Sequence, residues 1–210
     1  YPHAGKISDV LPQLKGQADL YFSGQFPYQR ITTVGHLPFP VYMPLHWAPF
    51  QLSNMTGMDW RWPGIIMIAV SAGISAYFLS RKYAGASMMY TLPATLLFAL
   101  PLWAFIKWSK LDLGVSSEGI VAAYYILLAT GLAVKNTPLI ILGLIGAILS
   151  RYTLIFWLPL FAILLWLYEP IKKSLLIWSI VGVAGLVLFA VPFLLKDPTI
   201  FSSMSAHYDG

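Results

Sequence analysis

The segment PLIILGLIGAILSRYTLIFWLPLFAILLWLY, residues 138–168, carries a single charged side chain, Arg151, near its middle. A helix that crosses a bilayer needs about 20 apolar residues, so the segment is too long for one span and short for two. One continuous helix would bury the guanidinium of Arg151 in the hydrocarbon at a cost of about 2.5 to 3.5 kcal/mol. We therefore predict two short membrane helices that meet at a turn near Arg151.

The composition of the whole chain agrees with a membrane location. Of the 210 residues, 58% are hydrophobic and 10% are charged, against about 25% charged residues in an ordinary soluble domain. The 13 Lys and Arg exceed the 8 Asp and Glu, but they are scattered in ones and twos. That pattern is typical of short loops at an anionic membrane surface and argues against nucleic-acid binding. The sequence predicts an integral membrane protein in contact with the lipid bilayer.

Several kinds of chemistry are excluded by what the sequence lacks. It contains no cysteine, and therefore no disulfide, thiolate metal site or cysteine nucleophile. It also has no glycine-rich phosphate loop and no Ser-His-Asp arrangement. His36 and His46 stand in a proline-rich stretch without the spacing of a helical zinc motif, so no metal site is predicted.

Four further segments are long and apolar enough to predict membrane helices: 62–80, 83–106, 119–134 and 174–195. In the second of these, Pro93 and Pro101 each remove a backbone donor and predict a kink or a break. Together with the two helices of 138–168, these segments predict an all-α fold, a polytopic transmembrane helix bundle of about six spans over residues 62–195.

The bias of Lys and Arg in short loops predicts the orientation. Three loops carry basic residues that we place on the cytoplasmic side: Arg81, Lys82, Lys135, Lys172 and Lys173. A loop of residues 1–61 with short interfacial helices, the turn at Arg151, and the start of a further loop over residues 196–210 then face the outer side. Residues 35–52 hold four prolines and two histidines, so we expect a re-entrant or interfacial element there. A full span at that position would reverse the orientation.

Polar and charged residues gather on this outer side: Asp9, Asp19, Arg30, His36, His46, Arg151 and Asp197. A reaction on a lipid phosphate needs cations that hold the phosphate and a carboxylate that takes a proton from a hydroxyl. Each residue also has a structural explanation. Asp9 and Asp19 suit solvated loop carboxylates or helix caps, and Arg151 suits a side chain that snorkels to the interface.

Four passages, in order, resemble the multi-spanning GT-C class of bacterial glycosyltransferases that use polyprenyl-phosphate sugars, most closely its glycosyltransferase 87 and mannosyltransferase-like branch. SDVLPQLKGQADLYFSGQFPYQ (8–29) is similar to the first outer loop of that class, and LPFPVYMPLHWAPF (37–50) to the proline-rich passage that follows. AILSRYTLIFWLPL (147–160) and VPFLLKDPTIF (191–201) resemble later segments. The resemblance implies an N-proximal portion of such an enzyme, with one helix before residue 1 and several spans after the Asp-Pro turn.

The resemblance also implies roles for Asp9, Tyr28 and Arg151, and the other outer-side polar residues add four further candidates. Asp9 matches the loop carboxylate that acts as general base, and Asp19 is the second catalytic candidate. The substrate-binding candidates are Tyr28, Arg30, His46, Arg151 and Asp197. Arg151 stands where the class usually has Lys. The difference exchanges the compact charge of an ammonium for a planar guanidinium with several donors. The Tyr-Pro-Pro pattern of the class is also broken here and reads VYMPLHW (41–47).

The reaction implied is the inverting transfer of a sugar, such as a mannosyl or other hexosyl group, from a polyprenyl-phosphate donor to a hydroxyl of a glycan, lipid or protein acceptor. It would take place on the outer face of a bacterial or archaeal plasma membrane, and a divalent cation is the one cofactor left open. A transporter or flippase-like carrier is the alternative, with Asp9 and Arg151 as gating or substrate charges. A membrane scaffold without catalysis is the third interpretation.

Overall fold

The computed structural model describes residues 10–29, 42–84, 117–152 and 156–201. This part of the chain is all-helical and contains no strand. Its α-helices are α1 (Val10–Phe22), α2 (Pro44–Trp47), α3 (Gln51–Thr56), α4 (Trp62–Lys82), α5 (Glu118–Val134), α6 (Thr137–Ile148), α7 (Leu158–Tyr168) and α8 (Ile171–Gly185). Short 3₁₀ turns at Ala48–Phe50 and Pro198–Phe201 complete the helical segments.

Helices α5 and α6 form an antiparallel hairpin whose tight turn is specified by two residues. Lys135 ends α5 in the left-handed conformation at φ 58°. Asn136 then caps α6, and its side-chain oxygen accepts a hydrogen bond from the backbone N–H of Leu139 at 3.0 Å. A left-handed C-cap followed directly by an Asn N-cap ends one helix and starts the next within two residues.

Three glycines allow α5 and α6 to approach closely. A Cβ atom at Gly143 would lie 2.4 Å from the backbone nitrogen of Leu128, and one at Gly131 would lie 2.6 Å from the nitrogen of Ile140. At Gly146 it would lie 2.0 Å from the ring of Tyr124. Small residues at helix interfaces are typical of membrane bundles, where close backbone packing replaces the hydrophobic driving force.

Helix α4 packs parallel to α5 along a line of small polar side chains. Ser75 and Thr130 are buried, and their hydroxyl oxygens lie 2.6 Å apart across the interface. At the far end of the two helices, the ammonium of Lys82 donates to the carbonyl of Ala133. The cation therefore satisfies a carbonyl of the last turn of α5 that has no intrahelical partner.

The last helix changes its winding around a proline. α8 continues without a break into a wider π-helical stretch over Leu186–Leu194, which contains Pro192. The N–H of Leu195 donates to the carbonyl of Ala190 at 2.8 Å, an i→i−5 bond. Since proline has no N–H to donate, the wider winding lets the chain continue past it.

Two apolar clusters hold these helices together. The smaller cluster packs the four helices α5, α6, α7 and α8 together. Its buried members are Leu128, Ile140, Leu144, Phe161, Leu165, Ile177 and Val181. The larger packs the N-terminal segment against one end of the bundle, and its buried members include Leu14, Tyr28, Trp47, Phe50, Ile120, Tyr124, Leu149, Phe193 and Ile200. Residues from α1 to α3, the turn after α6 and the end of the last helix therefore lie on the same end of the fold, which we call the mixed-charge end.

The two ends of the bundle differ in charge. The mixed-charge end carries residues of both signs: Asp59, Arg61, Glu118, Arg151, Lys196 and Asp197. At the opposite end, where α4 and α5 finish and α8 begins, the described charged residues are Arg81, Lys82, Lys135, Glu169, Lys172 and Lys173. We call this the basic end.

The structure supports a membrane location with fewer spanning helices than the six predicted spans. Two helices, Trp62–Lys82 and Ile171–Leu194, are long and apolar enough to cross a membrane. Only 17% and 22% of their most apolar windows are buried within the described chain, which distinguishes them from the core helices of a soluble protein. α5, α6 and α7 are apolar but shorter, and the predicted span 83–106 lies outside the described residues apart from its first two positions. Six spans are therefore not established by the helix lengths.

One local prediction is confirmed, and the re-entrant or interfacial element expected at 35–52 stays a prediction. Arg151 lies in the connection between α6 and α7 and not within one continuous helix. In the described part of 35–52, residues from Pro44 onward form short helical pieces that end at Thr56. At 1.5 Å per residue these pieces rise about 20 Å, less than the roughly 30 Å hydrocarbon core.

Candidate functional site

The turn that carries Arg151 is fastened to the N-terminal segment by backbone contacts. The N–H of Leu45 donates to the carbonyl of Leu149 at 2.8 Å. The Nδ1 atom of His46 lies 3.1 Å from the carbonyl oxygen of Ser150. A carbonyl only accepts, so His46 carries its proton on Nδ1 and donates it there. One short helix, α2, therefore fixes the backbone on which Arg151 sits.

His46 is fully buried and neutral. Its pKa is lowered from 6.5 to about 4, first by burial and then by the neighbouring positive charge of Arg151, against the opposing effect of backbone hydrogen bonds with Ser150 and Ser117. Each of these effects follows from the cost of adding a second positive charge to a dry site. Two of the predicted substrate-binding residues, His46 and Arg151, are thus brought together by the fold.

Arg151 pairs with a carboxylate that the sequence analysis did not select. Its guanidinium forms a salt bridge with Glu118, the first residue of α5. The side chains of Arg151 and Glu118 are 33% and 55% exposed, so the pair lies at the surface of the mixed-charge end. The Nε atom of Arg151 is buried and has no acceptor among the described residues.

Tyr28 belongs to a second polar contact, next to the first. Its hydroxyl donates to the carbonyl of Tyr42 at 3.0 Å, and the buried amide of Gln17 donates to the same oxygen at 3.4 Å. Burial raises the pKa of Tyr28 above its usual range, so the phenol stays protonated. The phenol ring also packs edge-on against Phe193. The Pro-Tyr dipeptide that ends the first polar passage therefore contacts the last helix.

Two aspartates of the predicted set, Asp19 and Asp197, lie among the described residues. Asp19 lies on α1, where its carboxylate pairs with the ammonium of Lys15 at 2.7 Å and is 43% exposed. Asp197 follows the last helix, and its N–H donates to the carbonyl of Phe193 at 3.0 Å. The proposed roles of the two aspartates stay predictions.

The remaining predicted residues fall in the undescribed stretches. Asp9, the candidate general base, lies immediately before α1, and Arg30 and His36 fall between Gln29 and Tyr42. Their roles stay predictions. Among the described residues, no three His, Asp or Glu side chains are grouped so that they could hold a metal ion.

Three residues near Arg151 were missed by sequence reasoning. Glu118 and Ser117 form a Ser-Glu pair just before an apolar run, which reads as an ordinary helix start and gives no sign of a partner 33 residues later. Tyr124 reads as a bundle aromatic, yet its hydroxyl donates to the carbonyl of Leu45 at 3.0 Å. Only the fold brings these groups to α2.

The arrangement presents the partly exposed guanidinium of Arg151. The neutral imidazole of His46 and the N-terminus of α5, which favours negative charge, lie beside it. α5 begins at Glu118, and helix N-termini attract anions because their first N–H groups have no intrahelical partner. Such a group of donors can hold a phosphate or a carboxylate. Comparison of the chain with protein-family models, curated proteins and solved structures gives no match.

Proposed function

We propose that this protein is a multi-spanning membrane glycosyltransferase that moves a sugar from a polyprenyl-phosphate donor to an acceptor hydroxyl on the outer side of the membrane. One observation supports this most directly. Arg151, the candidate phosphate ligand, lies at the end of the bundle against which the polar N-terminal segment packs. The candidate phosphate ligand and α1, the helix that follows Asp9 in the sequence, thereby lie at the same end of the bundle.

The proposed membrane arrangement puts the mixed-charge end outside. The basic end would face the cytoplasm, as the bias of Lys and Arg in short loops favours. α6 has 12 residues and rises about 18 Å, which is less than the hydrocarbon thickness. Arg151 would then sit below the outer surface of the bilayer, at a depth that a lipid phosphate can reach from the membrane.

In the proposed reaction, the chemistry is a displacement at the anomeric carbon of the donor. The carboxylate of Asp9 takes the proton of the acceptor hydroxyl while the acceptor oxygen forms its bond to that carbon. The bond between the carbon and the phosphate oxygen breaks, and the polyprenyl phosphate leaves with the electron pair. Arg151 stabilises the negative charge that develops on the leaving phosphate, with Arg30 as a second candidate cation.

The carrier interpretation has less support. A carrier needs charged or interrupted segments near the middle of several spans. In Trp62–Lys82 and Ile171–Leu194 the charged residues are confined to the basic end. The π-helical stretch around Pro192 is the one interruption in these two helices, and it lies near the mixed-charge end.

Sugar transfer in membranes tests the proposal. Full-length wild type, Asp9→Asn and Arg151→Gln would be assayed with polyprenyl-phosphate sugars at matched expression, with Lys135→Gln at the basic end as control. We expect loss of transfer for the first two variants and wild-type transfer for the control. Transfer that survives Asp9→Asn would move the base to Asp19 or elsewhere. Absence of transfer from every donor by wild type would reject the transferase and favour the carrier.

A further inference from the structure

The salt bridge between Arg151 and Glu118 raises the question of what the carboxylate is for. Both side chains reach the surface, and more than half of the Glu118 side chain is exposed. Exposed ion pairs add little to stability because water screens them and two side chains lose their freedom. The pair is therefore a poor candidate for a structural anchor.

Arg151 is also held in place without Glu118. The backbone before it is fixed by the contacts of Leu45 with Leu149 and of His46 with Ser150, while the hydroxyl of Ser150 donates to the carbonyl of Ala147 at 2.8 Å. These contacts are buried or close to the core, and none of them includes Glu118. Loss of the carboxylate would leave the guanidinium where it is, with its donors open.

The guanidinium recognises carboxylates and phosphates by the same planar set of donors. Glu118 occupies a terminal nitrogen of Arg151, and two anions at one cation repel each other, so a phosphate that takes this donor must displace the carboxylate. The Nε–H of Arg151 is buried and has no acceptor among the described residues, so the salt bridge is made by the terminal part of the guanidinium. The phosphodiester of the lipid donor has two non-bridging oxygens that share one negative charge, so it can accept hydrogen bonds from the guanidinium in place of the carboxylate.

We propose that Glu118 is the resident counterion of Arg151, and that the phosphate of the lipid donor displaces it on binding. This inference rests on the proposed function, because it names the regulation of the same site. Glu118 keeps the guanidinium neutralised in the unloaded protein. It also competes with every entering anion, so that a weakly bound anion such as chloride does not occupy the site.

The test measures binding and not catalysis. The full chain in detergent micelles would be titrated with a polyprenyl-phosphate hexose in the absence of an acceptor, with the neutral polyprenol as the matched lipid. Wild type would be compared with Glu118→Gln, Glu118→Asp and Arg151→Gln. The control is Glu169→Gln, since Glu169 pairs with Lys173 at 2.9 Å at the basic end and its substitution changes the net charge equally.

We expect Glu118→Gln to bind the phosphate lipid at least threefold more tightly than wild type, and Arg151→Gln to bind it at least tenfold more weakly. Glu169→Gln should match wild type, and polyprenol should not respond to any of the changes. Unchanged or weaker binding by Glu118→Gln would overturn the proposal, as would equal tightening by Glu169→Gln. If Glu118→Gln lowers the thermal midpoint by more than a few degrees, Glu118→Asp decides, because the shorter side chain should tighten binding in the same direction.

The two proposals can fail separately. Tighter phosphate-lipid binding by Glu118→Gln together with no sugar transfer by wild type would reject the transferase and leave the counterion role at a lipid-phosphate site. Sugar transfer by wild type with no effect of Glu118→Gln on binding would reject the counterion role alone.

Discussion

The Nδ1 atom of His46 lies 3.1 Å from the carbonyl oxygen of Ser150, a residue 104 positions later in the chain. This bond connects the proline-rich N-terminal segment to the turn between α6 and α7. It also fixes the tautomer of a fully buried imidazole beside a guanidinium. The contact therefore links the stability of the mixed-charge end to the protonation state of one side chain.

Stability should fall as the pH is lowered through the range in which an unfolded histidine takes up a proton. The pKa of His46 is about 4 in the folded protein and 6.5 is its ordinary value. The unfolded chain gains a proton below about pH 6.5, and the folded chain does not until about pH 4. The free energy of unfolding should thus decrease by roughly 3 kcal/mol as the pH falls across this window. Thermal unfolding in detergent at a series of pH values measures the effect.

The control for this pH effect is His46→Gln, whose amide can still donate to the Ser150 carbonyl but does not titrate. Its thermal midpoint should change less between pH 7 and pH 4.5 than that of wild type. An equally steep decrease in both proteins would assign the pH dependence to other groups.

A methyl group at Gly143 should separate α5 from α6. The added Cβ of Gly143→Ala would lie 2.4 Å from the backbone nitrogen of Leu128, and a backbone cannot move aside as a side chain can. We expect a loss of about 1 to 3 kcal/mol of stability. Gly182→Ala is the matched control, because nothing lies within 4 Å of its added Cβ. Thermal midpoints of the two variants in detergent check the difference, and equal midpoints would contradict the packing described here.

The hydrogen bond between Ser75 and Thr130 should be measurable as a coupling energy. The two oxygens lie 2.6 Å apart in a buried interface between α4 and α5. A double-mutant cycle with Ser75→Ala and Thr130→Val should give a coupling of about 0.6 kcal/mol, the average for such bonds in membrane helices. Strictly additive effects of the two substitutions would show that the hydroxyls do not stabilise one another.

The orientation can be read from single cysteines, because the natural sequence has none. Ser23 and Ala84 are both exposed and lie at the mixed-charge and basic ends, respectively. In intact cells, a maleimide that does not cross membranes should label Ser23→Cys, and it should label Ala84→Cys only after permeabilisation. The reverse pattern would place the mixed-charge end in the cytoplasm and remove the outer-side site.

Some features of this protein follow from the sequence alone. The single charge in residues 138–168 predicts that the chain must turn at Arg151, because a guanidinium is costly in the middle of an apolar helix. Apolar runs likewise predict α4, α5, and α8 together with its π-helical continuation, close to their observed bounds. The number of spans was less predictable. A continuous apolar run does not reveal where one helix ends and the next begins, and α6 and α7 are too short to cross a bilayer.

The partners of the polar residues were decided only by the tertiary structure. His46 reads as one of two histidines in a proline-rich loop, and its burial against Ser150 depends on how α2 meets the turn after α6. Glu118 reads as a helix start, and its pairing with Arg151 depends on the close approach that glycine permits between α5 and α6. Hydrophobic patterning records which residues avoid water, and it therefore determines the helices. Contacts between residues far apart in the chain depend on packing between helices, which no local pattern encodes.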